Sequence, residues 1–127
     1  MKLQQVKQLE KVMGQMEGLH KEVTALAKKS SNDALNKFKL KLVNTAIVEA
    51  NAVLGTEYQP FKDFVKFDED DVPSNSDVAL VVSQYLEELE RLRSDNIRQE
   101  MSRWSFIISD SGEKIRTAPP KKINEKK

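Results

Sequence analysis

The chain contains no cysteine. That absence removes disulfides, thiolate metal sites and cysteine nucleophiles together, and it agrees with a reducing compartment. Histidine is nearly absent too: His20 stands alone, so a zinc site of several imidazoles has no second ring, and a Ser-His-Asp triad would have to use this one. With only 4 glycines and 4 prolines, the chain is poor in the residues that punctuate a turn-rich β-fold. No run approaches the roughly 20 apolar residues that a membrane-spanning helix needs. The opening MKLQQVKQLEKV has charges every few residues where a secretory leader would be apolar. A glycine-rich phosphate loop and a G-x-S-x-G elbow are missing as well. These absences predict a soluble, cytoplasmic protein that is not an enzyme and uses no cofactor and no membrane.

What remains in the 127 residues is one domain's worth of amphipathic sequence, 39% hydrophobic and 32% charged. The net charge of +1 conceals a segmented distribution. Residues 1–50 hold 9 Lys/Arg against 5 Asp/Glu, residues 51–96 hold 4 against 11, and residues 97–127 hold 8 against 4. An acidic centre between basic flanks suits complementary faces within one fold, head-to-tail contacts between copies, or a separate partner for each end.

Three stretches carry helical periodicity. In residues 3–29, Val6, Leu9, Met13, Met16, Val23 and Ala27 fall at heptad a and d positions, with His20 at an a position; Leu3, Leu19 and Leu26 widen the stripe. Gly14 and Gly18 weaken this helix, by roughly 1 kcal/mol each relative to alanine. Lys28 to Asp33 reads as a short joint, after which Ala34, Leu35, Phe38, Leu42, Ala46, Val53 and Leu54 form a second stripe that Val43, Ile47 and Ala50 broaden; Gly55 ends it. So short a joint predicts an antiparallel helical hairpin. The third helix is expected from Ser74, which with Asp77 three residues on resembles a capping box whose carboxylate reaches back to the cap N–H, to about Trp104. Val78, Val82, Tyr85, Leu89 and Leu92 make its seam, and Glu87–Arg91, Glu90–Arg93, Asp95–Arg98 and Glu100–Arg103 are read as charge pairs on its solvent side.

Between the second and third helices, Tyr58, Phe61, Phe64 and Phe67 recur every three residues and are followed by Asp68, Glu69, Asp70 and Asp71. These rings either close the core from above or form an aromatic patch with an acidic rim offered to a protein partner; Phe61 and Phe64, just after Pro60, are expected to be the buried anchors. The acidic run lacks the spacing of a calcium-binding EF-hand loop and is read as solvated, without a metal. Near the C-terminus, Trp104, Phe106 and Ile108 alternate like a strand, with Ser109–Gly112 as turn and Lys114–Thr117 as return strand, although Ile97, Met101, Trp104 and Ile108 also continue the helical period.

The resulting expectation is a mainly all-α fold: an antiparallel bundle of three long helices with an aromatic and acidic crossover and a small C-terminal β-hairpin. Residues 1–118 form one domain and 119–127 a basic, disordered tail. The expected function is a non-enzymatic helical protein–protein interaction or self-assembly module, a homodimer through the seam at Val82, Tyr85, Leu89 and Leu92, with partner contacts at Tyr58, Phe61, Phe64, Phe67, Asp68, Glu69, Asp70 and Asp71. The runner-up is a small nucleic-acid-associated regulator, using Lys28, Lys29, Lys37, Lys39 and Lys41 around the first joint and Lys121 and Lys122 in the tail to contact phosphates. Lysine dominance, few interleaved aromatics and a net charge near zero rank it second.

Overall fold

A computed structural model of the chain describes residues 1–121. Three helices dominate it: α1 (Leu3–Lys29), α2 (Lys37–Tyr58) and α3 (Asn75–Ser94). A small antiparallel sheet follows, made of β1 (Ile97–Glu100), β2 (Arg103–Phe106) and β3 (Arg116–Thr117) in the order β1-β2-β3. Each helix touches the other two, and one core joins all three to Ile97 and Phe106 of the sheet.

Helix α1 buries Val6, Leu9, Met13, Met16 and Val23, the expected seam, with Val12 beside it. These residues face the chain's own core, whereas His20 and Ala27 of the expected seam are half-buried. Its first turn is satisfied from two directions. Gln5 Oε1 accepts from the Lys2 N–H, and Asp110 Oδ1, from the loop after β2, accepts from the Leu3 N–H at 2.8 Å. Lys28 and Lys29 occupy the last turn, where positive charge favours the helix dipole.

Helix α2 begins at Lys37, three residues beyond Ala34 where the second stripe was expected to start, because Asn36 is the cap: its side-chain oxygen accepts from the N–H groups of Phe38 and Lys39. Residues 33–35 are engaged elsewhere. The Leu35 N–H donates to Pro73 O, and Ala34 pairs with Ser74 in an isolated bridge. The buried face of α2 is Leu40, Val43, Ala46, Ile47, Ala50 and Leu54. Phe38 and Leu42, expected in the core, are instead 69% and 45% exposed. Two apolar stripes compete on this helix, and the one of smaller side chains faces inward. Gly55, with φ 65° and ψ −174°, breaks the helix where a C-cap was expected, in a region essentially restricted to glycine.

Helix α3 starts at Ser74, whose hydroxyl accepts from the Asp77 N–H. Val78, Val82, Tyr85 and Leu89 are fully shielded and Leu92 nearly so. The seam assigned to a homodimer is thus consumed inside the molecule. The helix ends at Ser94, ten residues before Trp104, because the Asn96 amide donates back to Leu92 O and the chain turns into β1. The β1–β2 hairpin, which the sequence did not suggest, replaces the last turns of the expected helix; the expected β2–β3 pairing is present, with Trp104 opposite Thr117 and Ser105 opposite Arg116. In consequence the Asp95–Arg98 and Glu100–Arg103 helical pairs do not exist as such. Glu100 lies opposite Arg103 across the hairpin and binds Arg98 and Lys114.

The helix ends are tied in two groups. Ser76 and Asn75 at the start of α3 donate backbone N–H groups to Ser31 O and Asp33 O after α1, and the Asn75 amide donates to Ser30 O. Tyr58, ending α2, donates its hydroxyl hydrogen to Asp95, beside the end of α3. The crossover, residues 59–73, therefore has to return the length of α2 before α3 can begin.

Candidate functional site

The crossover is pegged to α2 by two asparagines seven residues apart, which puts both on one side of the helix. Asn44, 4% exposed, brackets Phe67: its Oδ1 accepts from the Phe67 N–H and its Nδ2 donates to Phe67 O, both at 2.9 Å. Asn51 Nδ2 donates to Phe64 O and Val65 O, while its Oδ1 accepts from the Tyr85 hydroxyl at 2.8 Å. Burial pushes the Tyr85 phenol up. The asparagines were not singled out in the sequence, since a lone polar residue on a helix gives no hint that it reads a neighbouring backbone.

Above Tyr85 the expected ring cluster forms. Phe61 meets Phe64 edge-on with centroids 5.9 Å apart, Phe64 meets Phe67 at 5.1 Å, and Phe61 meets Tyr85 at 6.2 Å. Such edge-to-face pairs add about 0.5–1.5 kcal/mol beyond area burial. Tyr58, Phe61, Phe64 and Phe67 are all half-buried and packed on the core, so Phe61 and Phe64 are not the fully buried pair expected: the crossover lies over the core and leaves one side of every ring to solvent. Tyr58 titrates far above its ordinary value, pushed up to about 12 chiefly by its hydrogen bond to Asp95 and then by burial. Of the acidic run, Asp68, Asp70 and Asp71 are exposed and Glu69 half-buried beside Asn44. Asp68 Oδ1 accepts from the Asp70 N–H. Among the described residues no group of three or more His, Cys, Asp and Glu is arranged to hold a metal ion.

A second polar constellation lies on α3. Glu90 and Arg93, expected on the solvent side, are buried, with side chains 6% and 7% exposed. Arg93 Nε and Nη2 donate to the two Glu90 oxygens at 2.8 Å each. The remaining guanidinium hydrogens reach Thr117 Oγ1, Ala118 O and Pro119 O, and Glu90 Oε2 accepts from the Lys121 N–H. Burial alone would raise the Glu90 carboxyl; the Arg93 bonds, the Lys121 N–H and the Ser94 hydroxyl outweigh it and hold the group below the usual carboxylate range. This clamp fixes the start of the expected tail on α3. Lys122 and the rest of 122–127 lie outside the described residues.

The lysines of the nucleic-acid reading sit around the α1–α2 joint. Lys28, Lys29, Lys37 and Lys41 are exposed, whereas Lys39 is bonded to Glu22 at 2.9 Å, which holds the Glu22 carboxyl low. Lys121 is exposed, with its backbone tied to Glu90.

The outer face of α2 was missed as a surface because Phe38 and Leu42 were assigned to the core and Val48 to no stripe. Phe38, Leu42 and Val48, the last 47% exposed, lie on it with Thr45 between them. Depressions flank this ridge. Toward α1, one of about 370 Å³ is lined by Gly14, Gly18, Leu19, Leu42 and Ala46; toward the crossover, one of about 540 Å³ is lined by Lys41, Val48, Glu49, Lys66 and Glu69. Gly14 and Gly18 have nothing within 4 Å of the place a Cβ would take, so no helix of this chain approaches them closely.

No family model, no curated protein and no solved structure matches the chain. No helix among the described residues is long and apolar enough to cross a membrane.

Proposed function

We propose that this chain is a non-enzymatic, cytoplasmic protein–protein interaction module, a helical bundle with α1 antiparallel to α2 and α3, which presents the outer face of α2 to a protein partner. The observation that carries the reading is the exposure of Phe38, Leu42 and Val48 on a single helical face. A partner helix laid along the ridge would seat apolar side chains in the depression toward α1, the helix-in-groove mode of recognition, and charged ones in the depression toward the crossover. The crossover rings serve mainly as a lid on the core, and the exposed Asp68, Asp70 and Asp71 supply electrostatic steering rather than anchoring. Immobilised wild type and Leu42→Glu, offered a nuclease-treated extract of the native host, test this. Proteins retained by wild type and lost from the variant support the module; identical retention, or none, defeats it.

Nucleic-acid association is the second reading, favoured by the exposed Lys28, Lys29, Lys37 and Lys41. It ranks lower because Glu22 occupies Lys39 and because Phe38 and Leu42 interrupt the basic surface. Tight duplex or single-strand binding that falls steeply with salt and is lost on replacing Lys37 and Lys41 by glutamate would reverse the order.

A further inference from the structure

The outer face of α2 reads nearly the same in both directions about Thr45. Three residues to either side stand Leu42 and Val48, both apolar and exposed. Four to either side stand Lys41 and Glu49, of opposite charge, and seven to either side Phe38 and Ala52, again apolar and exposed. At about 100° per residue these positions fan out symmetrically around Thr45 on the helix surface. A pattern with that symmetry is what a two-fold, isologous contact requires, since each residue must suit the residue its own symmetry mate presents.

We infer that the partner of this face is a second copy of the chain, docked with its α2 antiparallel to the first and with the two Thr45 residues at the axis. This rests on the reading of the α2 face as an interaction surface and specifies its occupant. In that arrangement Leu42 of each copy meets Val48 of the other, Phe38 meets Ala52, and Lys41 pairs with Glu49 twice. The charges also select the orientation: a second copy laid parallel would set Lys41 beside Lys41 and Glu49 beside Glu49. Glu49 lines the depression on the crossover side, and one of its carboxylate oxygens is shielded from water without a hydrogen-bond partner among the described residues. A lysine brought in by the second copy adds a cation at the rim of this depression, which Lys41 and Lys66 of the same chain also line. The open backbone at Gly14 and Gly18 leaves the α1 side of the ridge hollow for the incoming side chains. The ridge from Phe38 to Ala52 is only about 21 Å long at 1.5 Å per residue, so the contact belongs to the small, reversible class of interfaces.

The test uses the full chain. Sedimentation equilibrium from low micromolar to submillimolar concentration is expected to take the mass from 14.5 kDa toward twice that value. Leu42→Glu should stay monomeric, and Lys41→Glu should weaken association roughly tenfold or more by setting like charges against each other. The charge swap Lys41→Glu with Glu49→Lys should restore it. Because the chain has no thiol of its own, Thr45→Cys should oxidise to a disulfide-linked dimer, while Met101→Cys, at the 95% exposed hairpin tip, should not. Circular dichroism confirms that each variant folds; the substituted side chains lie at the surface. A wild type that stays monomeric throughout, a dimer indifferent to Leu42→Glu, or a charge swap that fails to rescue overturns the two-fold pairing. If the chain is monomeric and still captures a foreign protein through Leu42, the module reading stands and only this inference falls; if neither occurs, both fall.

Discussion

Replacing Arg93 with methionine tests whether the clamp on α3 holds the C-terminal segment or merely decorates it. The guanidinium makes two bonds to Glu90 and three to residues 117–119, with both charged side chains under a tenth exposed. Removing one member of a buried pair strands the other charge, and such truncations cost about 3–5 kcal/mol. The freed carbonyls of Ala118 and Pro119 belong to exposed residues and can turn to water, so they add little. Removing both charges, in Glu90→Leu with Arg93→Met, avoids the stranded carboxylate and is expected to cost only about 1–2 kcal/mol. Urea unfolding followed by the fluorescence of Trp104, the sole tryptophan and a neighbour of Thr117 across the sheet, reads all three proteins. Acid supplies a second measure. The folded Glu90 carboxyl lies below its ordinary 4.5, so its contribution is present above that pH and is lost as the pH falls through the folded value. Wild type should therefore lose stability on acidification more steeply than the double variant. An Arg93→Met midpoint that implies less than about 0.5 kcal/mol of destabilisation, or a double variant as damaged as the single, would refute the reasoning.

The remaining expectations concern the lid, the glycines and the hairpin tip. Phe64→Ala, which removes a half-buried ring touching Phe61, Phe67 and Tyr85, should lower stability by about 2–4 kcal/mol in chemical denaturation, somewhat below the range for fully buried rings; a wild-type midpoint would show that the crossover is not closing the core. Gly14→Ala and Gly18→Ala should each stabilise α1, by up to about 1 kcal/mol, since the added methyl meets nothing; thermal melts lower than wild type would contradict that. Met101 and Ser102 both have positive φ in the two-residue β1–β2 turn, so Asn-Gly in their place should raise stability by about 1–2 kcal/mol, and an unchanged melt would count against that turn.

That tip also shows why part of the fold was hidden. A two-residue hairpin usually advertises itself with Asn-Gly or Asp-Gly, but here Met-Ser adopts the left-handed conformation, and Ile97, Met101, Trp104 and Ile108 keep the helical period across the junction. The helix therefore read on past Ser94. By contrast Ser74, Gly55 and the seams of α1 and α3 were legible because capping, φ > 0 and burial each leave a local mark. The outer face of α2 was illegible for the opposite reason: Phe38 and Leu42 satisfy a core pattern as well as a surface one, and only the presence of α1 and the crossover decides between them. Glu90 and Arg93 looked like any exposed i,i+3 pair, since the segment that covers them arrives from residues 117–121.

Asn44 and Asn51 hold residues 64–67 of the crossover through main-chain atoms, Asn44 adding one longer bond to the Glu69 carboxylate. Their grip is blind to the identity of the residues between, and Val65 and Lys66 point outward from a strip whose position they do nothing to determine. The strip is a place where this molecule can be rewritten: its outward side chains are open to exchange, or to carrying a grafted recognition sequence, while the amides beneath keep the register and the four rings keep the core dry.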